Sequence, residues 1–289
     1  MKPLISYYGG KQRIARRIVE LMADIPHSIY AEPFAGGLSV LYAKEPPTVS
    51  NQSDYVEAIN DSNEMLISLY RVARYAPDLL AEKLQWTPYS KAELTLANQI
   101  YQDVIPSTEL DKAWAVFVAC HCSFSHKIGA GWKVGRRAQN VAYKWSRVKD
   151  RLHQALERLS QVHIDCVDAL DFIARWDTNT TLFYCDPPYP GADQGHYGGY
   201  TQEDFERLCS ALDAAQCSYI LSNYDQGDIA PDSAQQRVEI NVQCTASGAG
   251  RSRGQESAVI DAARTEVLWI CDRSPEKAFQ RSLNLEAIA

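Results

Sequence analysis

Short apolar runs alternate with helical patterns along two parts of the chain, and this alternation limits the folds that it can adopt. The runs predicted to be strands are residues 29–34, 55–59, 161–167, 181–185, 218–222, 237–242 and 265–271. A strand, a helix and a second strand in succession usually form a parallel pair with the helix on one face of the sheet. We therefore predict an α/β fold with a largely parallel sheet and helices on both faces.

The alternation is interrupted between residues 77 and 160. Helical patterns are found there near residues 90–102 and 110–121 and, as one long helix, near 141–160. A glycine-rich basic segment separates the second pattern from the third. Because no strand–helix repeat continues through this region, we predict an inserted, mostly helical domain at 77–160. The main domain would be formed by 1–76 and 161–289.

The composition is typical of a globular protein, with 46% hydrophobic and 22% charged residues in a chain of 289. We find no apolar run long enough to cross a bilayer and no secretory leader, so we expect no membrane partner. The eight cysteines form no CxxC pair, which favours reduced thiols in a cytoplasmic protein. The cluster Cys120-His121-Cys122 has no second ligand pair at zinc spacing, so we expect no metal site.

Basic residues are concentrated in the inserted region, although the net charge of the chain is −7. Between residues 127 and 151 the only acid is Asp150. A run of charge is usually a solvated face, but the aromatic and glycine residues interleaved here favour contact with nucleic-acid phosphates. The candidate contact residues are Lys127, Lys133, Arg136, Arg137, Lys144 and Arg147.

The apolar run at 181–185 ends in a proline turn, Asp186-Pro187-Pro188-Tyr189. Both prolines have a fixed φ and neither donates a backbone hydrogen bond, so the turn is rigid. At the carboxyl edge of an open sheet it would present one carboxylate, backbone carbonyl oxygens and the ring of Tyr189. Such a turn suits a planar amine, whose two hydrogens need two acceptors. An ordinary surface loop with two prolines is the alternative.

A glycine turn, Phe34-Ala35-Gly36-Gly37, follows the first predicted strand. It is typical of a nucleotide-binding loop, because glycines allow a ligand to approach the backbone closely. Asp61 ends the next strand, where an acid in a nucleoside-binding unit accepts hydrogen bonds from ribose hydroxyls. The alternatives are a simple tight turn and a helix-capping role for Asp61.

Several motifs, taken together and in order, resemble the Dam-type DNA adenine-N6 methyltransferases. The motifs are Tyr7-Tyr8-Gly9-Gly10-Lys11, Glu32-Pro33-Phe34-Ala35-Gly36-Gly37, Asn60-Asp61-Ser62-Asn63, Asp168, Asp186-Pro187-Pro188-Tyr189 and Leu221-Ser222-Asn223. The resemblance implies the Rossmann-like sheet of S-adenosylmethionine (SAM)-dependent methyltransferases, with an inserted DNA-recognition domain. It also implies SAM as cofactor and an adenine of double-stranded DNA as methyl acceptor.

The resemblance further implies which residues bind the cofactor. They are Tyr7, Lys11, Phe34, Gly36, Gly37, Asp61, Asp168 and Asp186. Tyr7 and Lys11 would lie against the methionyl and sulfonium end of SAM, with Phe34 and the glycines beneath it. Asp61 would accept from the ribose hydroxyls, and Asp168 would accept from the amine of the cofactor adenine.

The implied catalytic residues are Asp186, Pro187 and Tyr189. An adenine swung out of the duplex would stack on Tyr189, and its amine would donate to the Asp186 carboxylate and the Pro187 carbonyl. The nitrogen would then attack the methyl group of SAM, with no metal and no covalent enzyme intermediate.

We expect residues 191–200, which contain four glycines and two tyrosines, to form a mobile lid. A passive loop is the alternative, and a monomer or weak dimer would suffice for the reaction.

The recognised sequence and the acceptor are less constrained. Arg136 and Arg137 are candidates for guanine contact, with phosphate contact as the alternative, and Arg251 and Arg253 could reach the DNA backbone. The family commonly has another glycine where this chain has Leu38, whose side chain could crowd the cofactor or point into the core. The alternatives are therefore a degenerate regulator that binds DNA or SAM without turnover, and a methyltransferase of RNA adenine or protein glutamine.

Overall fold

The computed structural model describes residues 1–47, 54–134, 140–149, 152–190, 199–224, 229–243 and 263–277. Their strands form one seven-stranded sheet in the order β3-β2-β1-β4-β5-β7-β6. The strands are β1 Ile29–Glu32, β2 Val56–Asn60, β3 Val162–Asp165, β4 Thr181–Cys185, β5 Ser218–Tyr224, β6 Gln236–Gln243 and β7 Ala263–Cys271.

The sheet is parallel from β3 to β5, since β1 pairs in parallel with both β2 and β4, β3 with β2, and β5 with β4. Strand β7 runs antiparallel to both of its neighbours, β5 and β6. The largely parallel α/β sheet is thus confirmed. Strand order reverses between β1 and β4, and in open α/β sheets such a reversal leaves a crevice at the carboxyl ends of the strands.

Besides a short 3-10 helix at Phe124–His126 and helical residues at 275–277, the described part of the chain contains ten α-helices. They are α1 Ala15–Met22, α2 Ser39–Ala43, α3 Glu64–Tyr75, α4 Pro77–Gln85, α5 Lys91–Tyr101, α6 Glu109–Cys122, α7 Val141–Lys149, α8 Leu152–Arg158, α9 Ala169–Trp176 and α10 Gln202–Ala214. Helix α4 was not predicted. Its first residue is Pro77, which is tolerated at the first position of a helix because no intrahelical partner is needed there. The single long helix expected at 141–160 is described as two helices, with residues 150 and 151 outside the described part.

Side-chain caps fix the starts of several helices beside the sheet. Thr201 and Asp204 form the capping box that their sequence predicts before α10. Asn63 accepts from the backbone of Leu66 at the start of α3, and Asp168 caps α9. Two of the predicted ligand-binding loops therefore lead directly into capped helices, which fixes where their polar side chains lie.

The two faces of the sheet are buried in two separate apolar clusters. Tyr30 and Tyr184 belong to the first cluster, together with residues of α1 and α3. Ala31 and Phe183, their neighbours in the same strands, belong to the second, with residues of α9 and α10. Alternate strand residues point to opposite faces, so helices cover both faces, as predicted. The first cluster also includes residues of α4, α5, α6 and α8. No described helix is long and apolar enough to cross a membrane.

A buried ion pair ties the region after residue 77 to the sheet. Arg158 of α8 donates from its two terminal nitrogens to the Glu57 carboxylate of β2, at 2.5 and 2.8 Å. Both side chains are at most 3% exposed. The Lys44 ammonium lies 3.3 Å from the same carboxylate. The Glu57 carboxylate therefore compensates the charges of Arg158 and Lys44 at a position that is shielded from water.

We expect Glu57→Gln to lower the free energy of unfolding by about 3–5 kcal/mol, because it leaves the buried Arg158 without its counter-charge. Urea unfolding followed by circular dichroism measures the change. Glu20→Gln is the matched control, since Glu20 is 63% exposed in its pair with Arg17, and it should stay within about 0.5 kcal/mol of wild type. Equal effects of the two substitutions would contradict this account.

Candidate active site

A cavity of about 490 Å³ lies at the carboxyl ends of β1, β2, β3 and β4, where strand order reverses. This volume falls in the range of small-molecule and cofactor sites. The loops after all four strands contribute to its lining, as does the N-terminal segment before α1. The predicted cofactor and catalytic residues all line it: Tyr7, Lys11, Phe34, Gly36, Gly37, Asp61, Asp168, Asp186, Pro187 and Tyr189.

Asp61 holds the glycine turn after β1. Its carboxylate accepts from the backbone N–H of Gly36 at 3.0 Å and of Asn63 at 2.9 Å. Burial raises the pKa of Asp61, and these two hydrogen bonds oppose that rise. A carboxylate has about four lone-pair positions, so two remain for further donors. Asp61 can therefore fix the turn and accept from ribose hydroxyls at the same time.

The second glycine of the turn is required by the N-terminal segment. A Cβ atom on Gly37 would lie 2.8 Å from the Cβ of Tyr7, closer than side chains tolerate. The next residue, Leu38, has a φ of 53° and is 1% exposed. Its side chain is part of the first apolar cluster, although the residue also lines the cavity. Of the two placements considered for Leu38, the structure shows burial in the core.

Other lining residues offer polar and aromatic contacts to a nucleoside. The hydroxyl of Ser39 is buried and has no hydrogen-bond partner among the described residues, which suits a polar ligand atom. Asp168 accepts from the backbone of Leu170 at 2.8 Å and is exposed. The Phe34 ring lies edge-on to Tyr200, with ring centroids 6.3 Å apart. These groups fit a cofactor with a nucleoside part.

The proline turn meets the N-terminal segment through Lys11. The ammonium of Lys11 donates to Asp186 Oδ1 at 2.7 Å and lies 4.8 Å from the centre of the Tyr189 ring. The Tyr189 hydroxyl lies 2.9 Å from the same Asp186 oxygen. The predicted contacts of Lys11 with SAM and of Tyr189 with a base stay predictions, and the structure adds that both side chains bind Asp186.

Two buried carboxylates in this region were not predicted as site residues. Glu266 of β7 hydrogen-bonds the hydroxyls of Tyr189 and Ser222 and lies 3.5 Å from the Lys11 ammonium. Glu32 of β1 lines the cavity and accepts from Tyr30 and from the Leu41 backbone. Glu32 is the last residue of β1, and Glu266 follows Arg264 and Thr265 in β7, so no local signal in the sequence distinguishes either acid.

A second cavity, of about 350 Å³, lies between the first residues of the chain and helices α7 and α8. Four cationic side chains line it, and none of its described lining residues is acidic: the four are Lys2, Lys133, Lys144 and Arg147. Burial and the nearby Lys144 lower the pKa of Lys133. Three of the predicted phosphate contacts are thus together.

The other predicted DNA contacts are not part of this second cavity or lie outside the described residues. Lys127 lies away from this second cavity, with its ammonium 5.4 Å from the centre of the Tyr8 ring. Arg136 and Arg137 lie outside the described residues, and so do Arg251 and Arg253. Of the predicted lid, residues 191–198 are also outside, whereas Gly199 and Tyr200 line the first cavity.

The model of the D12 class N6 adenine-specific DNA methyltransferases matches residues 7–227. The chain belongs to this family. The resemblance that its motifs show is thereby confirmed, and the chain is an enzyme of the SAM-dependent methyltransferase class. Among the described residues, no group of three or more His, Cys, Asp or Glu side chains is arranged to hold a metal ion.

Two solved structures of the rRNA methyltransferase aviRa from Streptomyces viridochromogenes are similar to this chain. The structure at 2.4 Å is 13% identical, with a TM-score of 0.39, and the match covers 93% of this chain and 88% of that chain. The structure at 1.5 Å is 12% identical, with a TM-score of 0.39, and the match covers 90% and 85%. No curated protein sequence matches this chain.

Glu32 makes stability depend on pH. Burial raises the pKa of its carboxyl from 4.5 to about 8. In the unfolded chain Glu32 loses its proton near pH 4.5, so between that pH and about 8 the folded state holds one proton more. Wild type should therefore lose stability relative to Glu32→Gln as the pH rises through this window. Thermal unfolding across the window measures the difference.

The control for this measurement is the exposed residue Glu82. Glu82→Gln should follow wild type at every pH, because no buried proton is removed. A constant difference between wild type and Glu32→Gln across the window would show that the Glu32 carboxyl is ionised in the folded protein, and would contradict the prediction.

Proposed function

We propose that the protein transfers a methyl group from SAM to the N6 amine of an adenine in double-stranded DNA. One observation carries the proposal: the Asp186–Tyr189 turn and the Asp61-bound glycine turn line the same cavity. An acceptor for an amine and a binding site for a nucleoside thus face each other. Residues 77–160 would form the part that recognises DNA.

The charges of the first cavity favour a ligand with a cationic centre. Glu32 lines it with a carboxyl that burial keeps protonated near neutral pH. Four further acidic residues line it, against the basic residues Lys11 and Arg207: Asp61, Asp168, Asp186 and Asp204. In a partly desolvated cavity this surplus of negative charge attracts a cation more strongly than it would in water. When bound, SAM supplies an electrophilic methyl group on a positively charged sulfur.

The proline turn would orient and polarise the adenine amine. The Asp186 carboxylate and the Pro187 carbonyl accept one amine hydrogen each, which draws the nitrogen lone pair out of conjugation with the ring. An amine held in this way would be nucleophilic toward the methyl group of bound SAM. S-adenosylhomocysteine would be the leaving group, and the surplus proton on nitrogen would pass to water. Catalysis by these groups consists of positioning and of stabilising the charge that grows on nitrogen.

The second cavity would bind the DNA backbone. Its cations lie on the N-terminal segment, near β-bridge residue Trp132 and on α7. Phosphate binding by such a cluster gives affinity without base readout. An adenine within the duplex must be extruded to reach the first cavity, at a cost of roughly a few kcal/mol. Backbone contacts in the second cavity would offset part of that cost.

We expect Asp186→Ala to lower the rate of methyl transfer to DNA about a hundredfold or more, because the developing charge on nitrogen loses its acceptor. Transfer of radiolabelled methyl from SAM to duplex DNA measures the rate. Asp171→Ala is the matched control, since Asp171 is exposed on α9 and does not line the cavity. Unchanged transfer by a folded Asp186→Ala protein would refute this role.

The same assay distinguishes the alternatives. DNA, RNA and protein are offered separately, and transfer to RNA or protein alone would replace DNA as the acceptor. Binding of SAM by calorimetry without transfer to any acceptor would indicate a regulator that has lost turnover.

Alanine substitutions at Lys133, Lys144 and Arg147 should each weaken DNA binding to a similar extent for duplexes of different sequence. Each should also reduce the slope of log affinity against log salt by about 1, since one phosphate contact is lost. Fluorescence anisotropy at several salt concentrations measures both effects. Lys91→Ala, at the exposed start of α5, is the control. Salt slopes equal to wild type in all three variants would exclude the second cavity as a phosphate site.

A further inference from the structure

A second buried carboxylate, that of Glu266, shares contacts with Asp186. Glu266 lies on β7 and is 3% exposed. Its Oε1 atom lies 3.5 Å from the Lys11 ammonium and within hydrogen-bond distance of the hydroxyls of Tyr189 and Ser222. A buried carboxylate needs such partners, because burial without them is costly. Neither the motif resemblance nor the proposed mechanism gives Glu266 a role.

Both groups that contact Asp186 also contact Glu266. The Lys11 ammonium donates to Asp186 Oδ1 at 2.7 Å, and the Tyr189 hydroxyl lies 2.9 Å from the same oxygen. These two groups lie between the carboxylates and bridge them. The state of Glu266 therefore affects each of the two contacts at Asp186 Oδ1.

The number of hydrogens limits how this cluster can be arranged. Each hydroxyl carries one proton, yet the Tyr189 hydroxyl approaches the carboxylates of both Asp186 and Glu266. When Glu266 is ionised, the Tyr189 proton can point to Glu266. When Glu266 is protonated, its own O–H donates to the Tyr189 oxygen, and the Tyr189 proton is directed to Asp186.

We propose that Glu266 is a positioning residue whose charge directs the Tyr189 hydroxyl and so sets how strongly Asp186 accepts the adenine amine. With Glu266 ionised, Asp186 Oδ1 keeps its contact with Lys11 and is released from Tyr189. With Glu266 protonated, Tyr189 donates to Asp186 and competes with the amine. The role acts through Tyr189, and Glu266 itself does not touch the substrate.

The surroundings of Glu266 set the direction of the pH dependence. Among the described residues, the titratable and charged groups that face it are Lys11, Tyr184, Asp186 and Tyr189. Burial raises the pKa of Glu266, the Lys11 ammonium opposes this, and the Asp186 carboxylate adds to it. Amine activation should therefore increase as the pH rises and Glu266 loses its proton.

The role rests on the proposed transfer to adenine, and the first test is Glu266→Gln. Glutamine is uncharged at every pH and in this respect imitates the protonated carboxyl. Single-turnover transfer to duplex DNA by wild type should rise with pH through the ionisation of Glu266. Glu266→Gln should lack this rise and should be about tenfold slower at the top of the wild-type profile, the effect of one hydrogen bond to a charged group.

Tyr189→Phe is the matched variant, since it keeps the ring and removes the hydroxyl. In this background Glu266→Gln should change the rate by less than about twofold, because the hydroxyl that connects Glu266 with Asp186 has been removed. A Glu266→Gln enzyme that follows the wild-type rise overturns the proposal. So does an effect of Glu266→Gln that is equally large with and without the Tyr189 hydroxyl.

A measurement on the protein alone keeps the proposal testable if Glu266→Gln does not fold. Carbon-13 NMR of the carboxyl groups follows Asp186 as the pH is varied. In wild type the Asp186 signal should shift at the midpoint of the Glu266 titration, and in Tyr189→Phe that shift should be smaller or lost. If the Asp186 signal in wild type does not shift at the midpoint of the Glu266 titration, the proposal is overturned. Wild type that shows the shift but transfers no methyl to DNA refutes the proposed function instead.

Discussion

The reversal of strand order between β1 and β4 is the constraint on which the site depends. On one side the chain continues to β2 and β3, and on the other to β5. The loops that leave these strands therefore diverge at one edge of the sheet and open a crevice there. The glycine turn, Asp61, Asp168 and the proline turn each follow a different parallel strand. The sheet topology therefore brings functional groups from four separate stretches of sequence to one site.

Burial and charge give the two cavities opposite characters. The first cavity has more acids than bases, although burial raises the pKa values of Glu32 and Asp61 and so opposes the ionisation of these two. The second has Lys133 and Lys144 close enough for one to lower the pKa of the other. A cationic cofactor and a polyanionic substrate would therefore be attracted to different places on one protein. The net charge of −7 alone would have concealed this separation.

The sequence predicts all seven strands, because each is a short apolar run. It also predicts the cavity loops after β1, β2 and β4, because glycine, Asn-Asp and proline residues there indicate turns. It does not predict α4, since no helical pattern was identified between residue 77 and residue 90, whereas Pro77 is the first residue of a helix. It also misses the pairing of Lys11 with Asp186, which are 175 residues apart. Local patterns contain no information on which buried charges meet, and Glu266 was overlooked for the same reason.

The Tyr189 side chain connects the charge cluster to the surface on which a base would stack. Its hydroxyl is held by Ser222 at 3.2 Å and by the two carboxylates, so the ring has little freedom to rotate. The Lys11 ammonium lies 4.8 Å from the ring centre, on one face. A base that stacked on Tyr189, as proposed, would therefore have to use the opposite face. In the proposed reaction, a ring held in this way would place an incoming amine at a fixed distance from Asp186, three residues earlier in the same rigid turn, which is the positioning that methyl transfer requires.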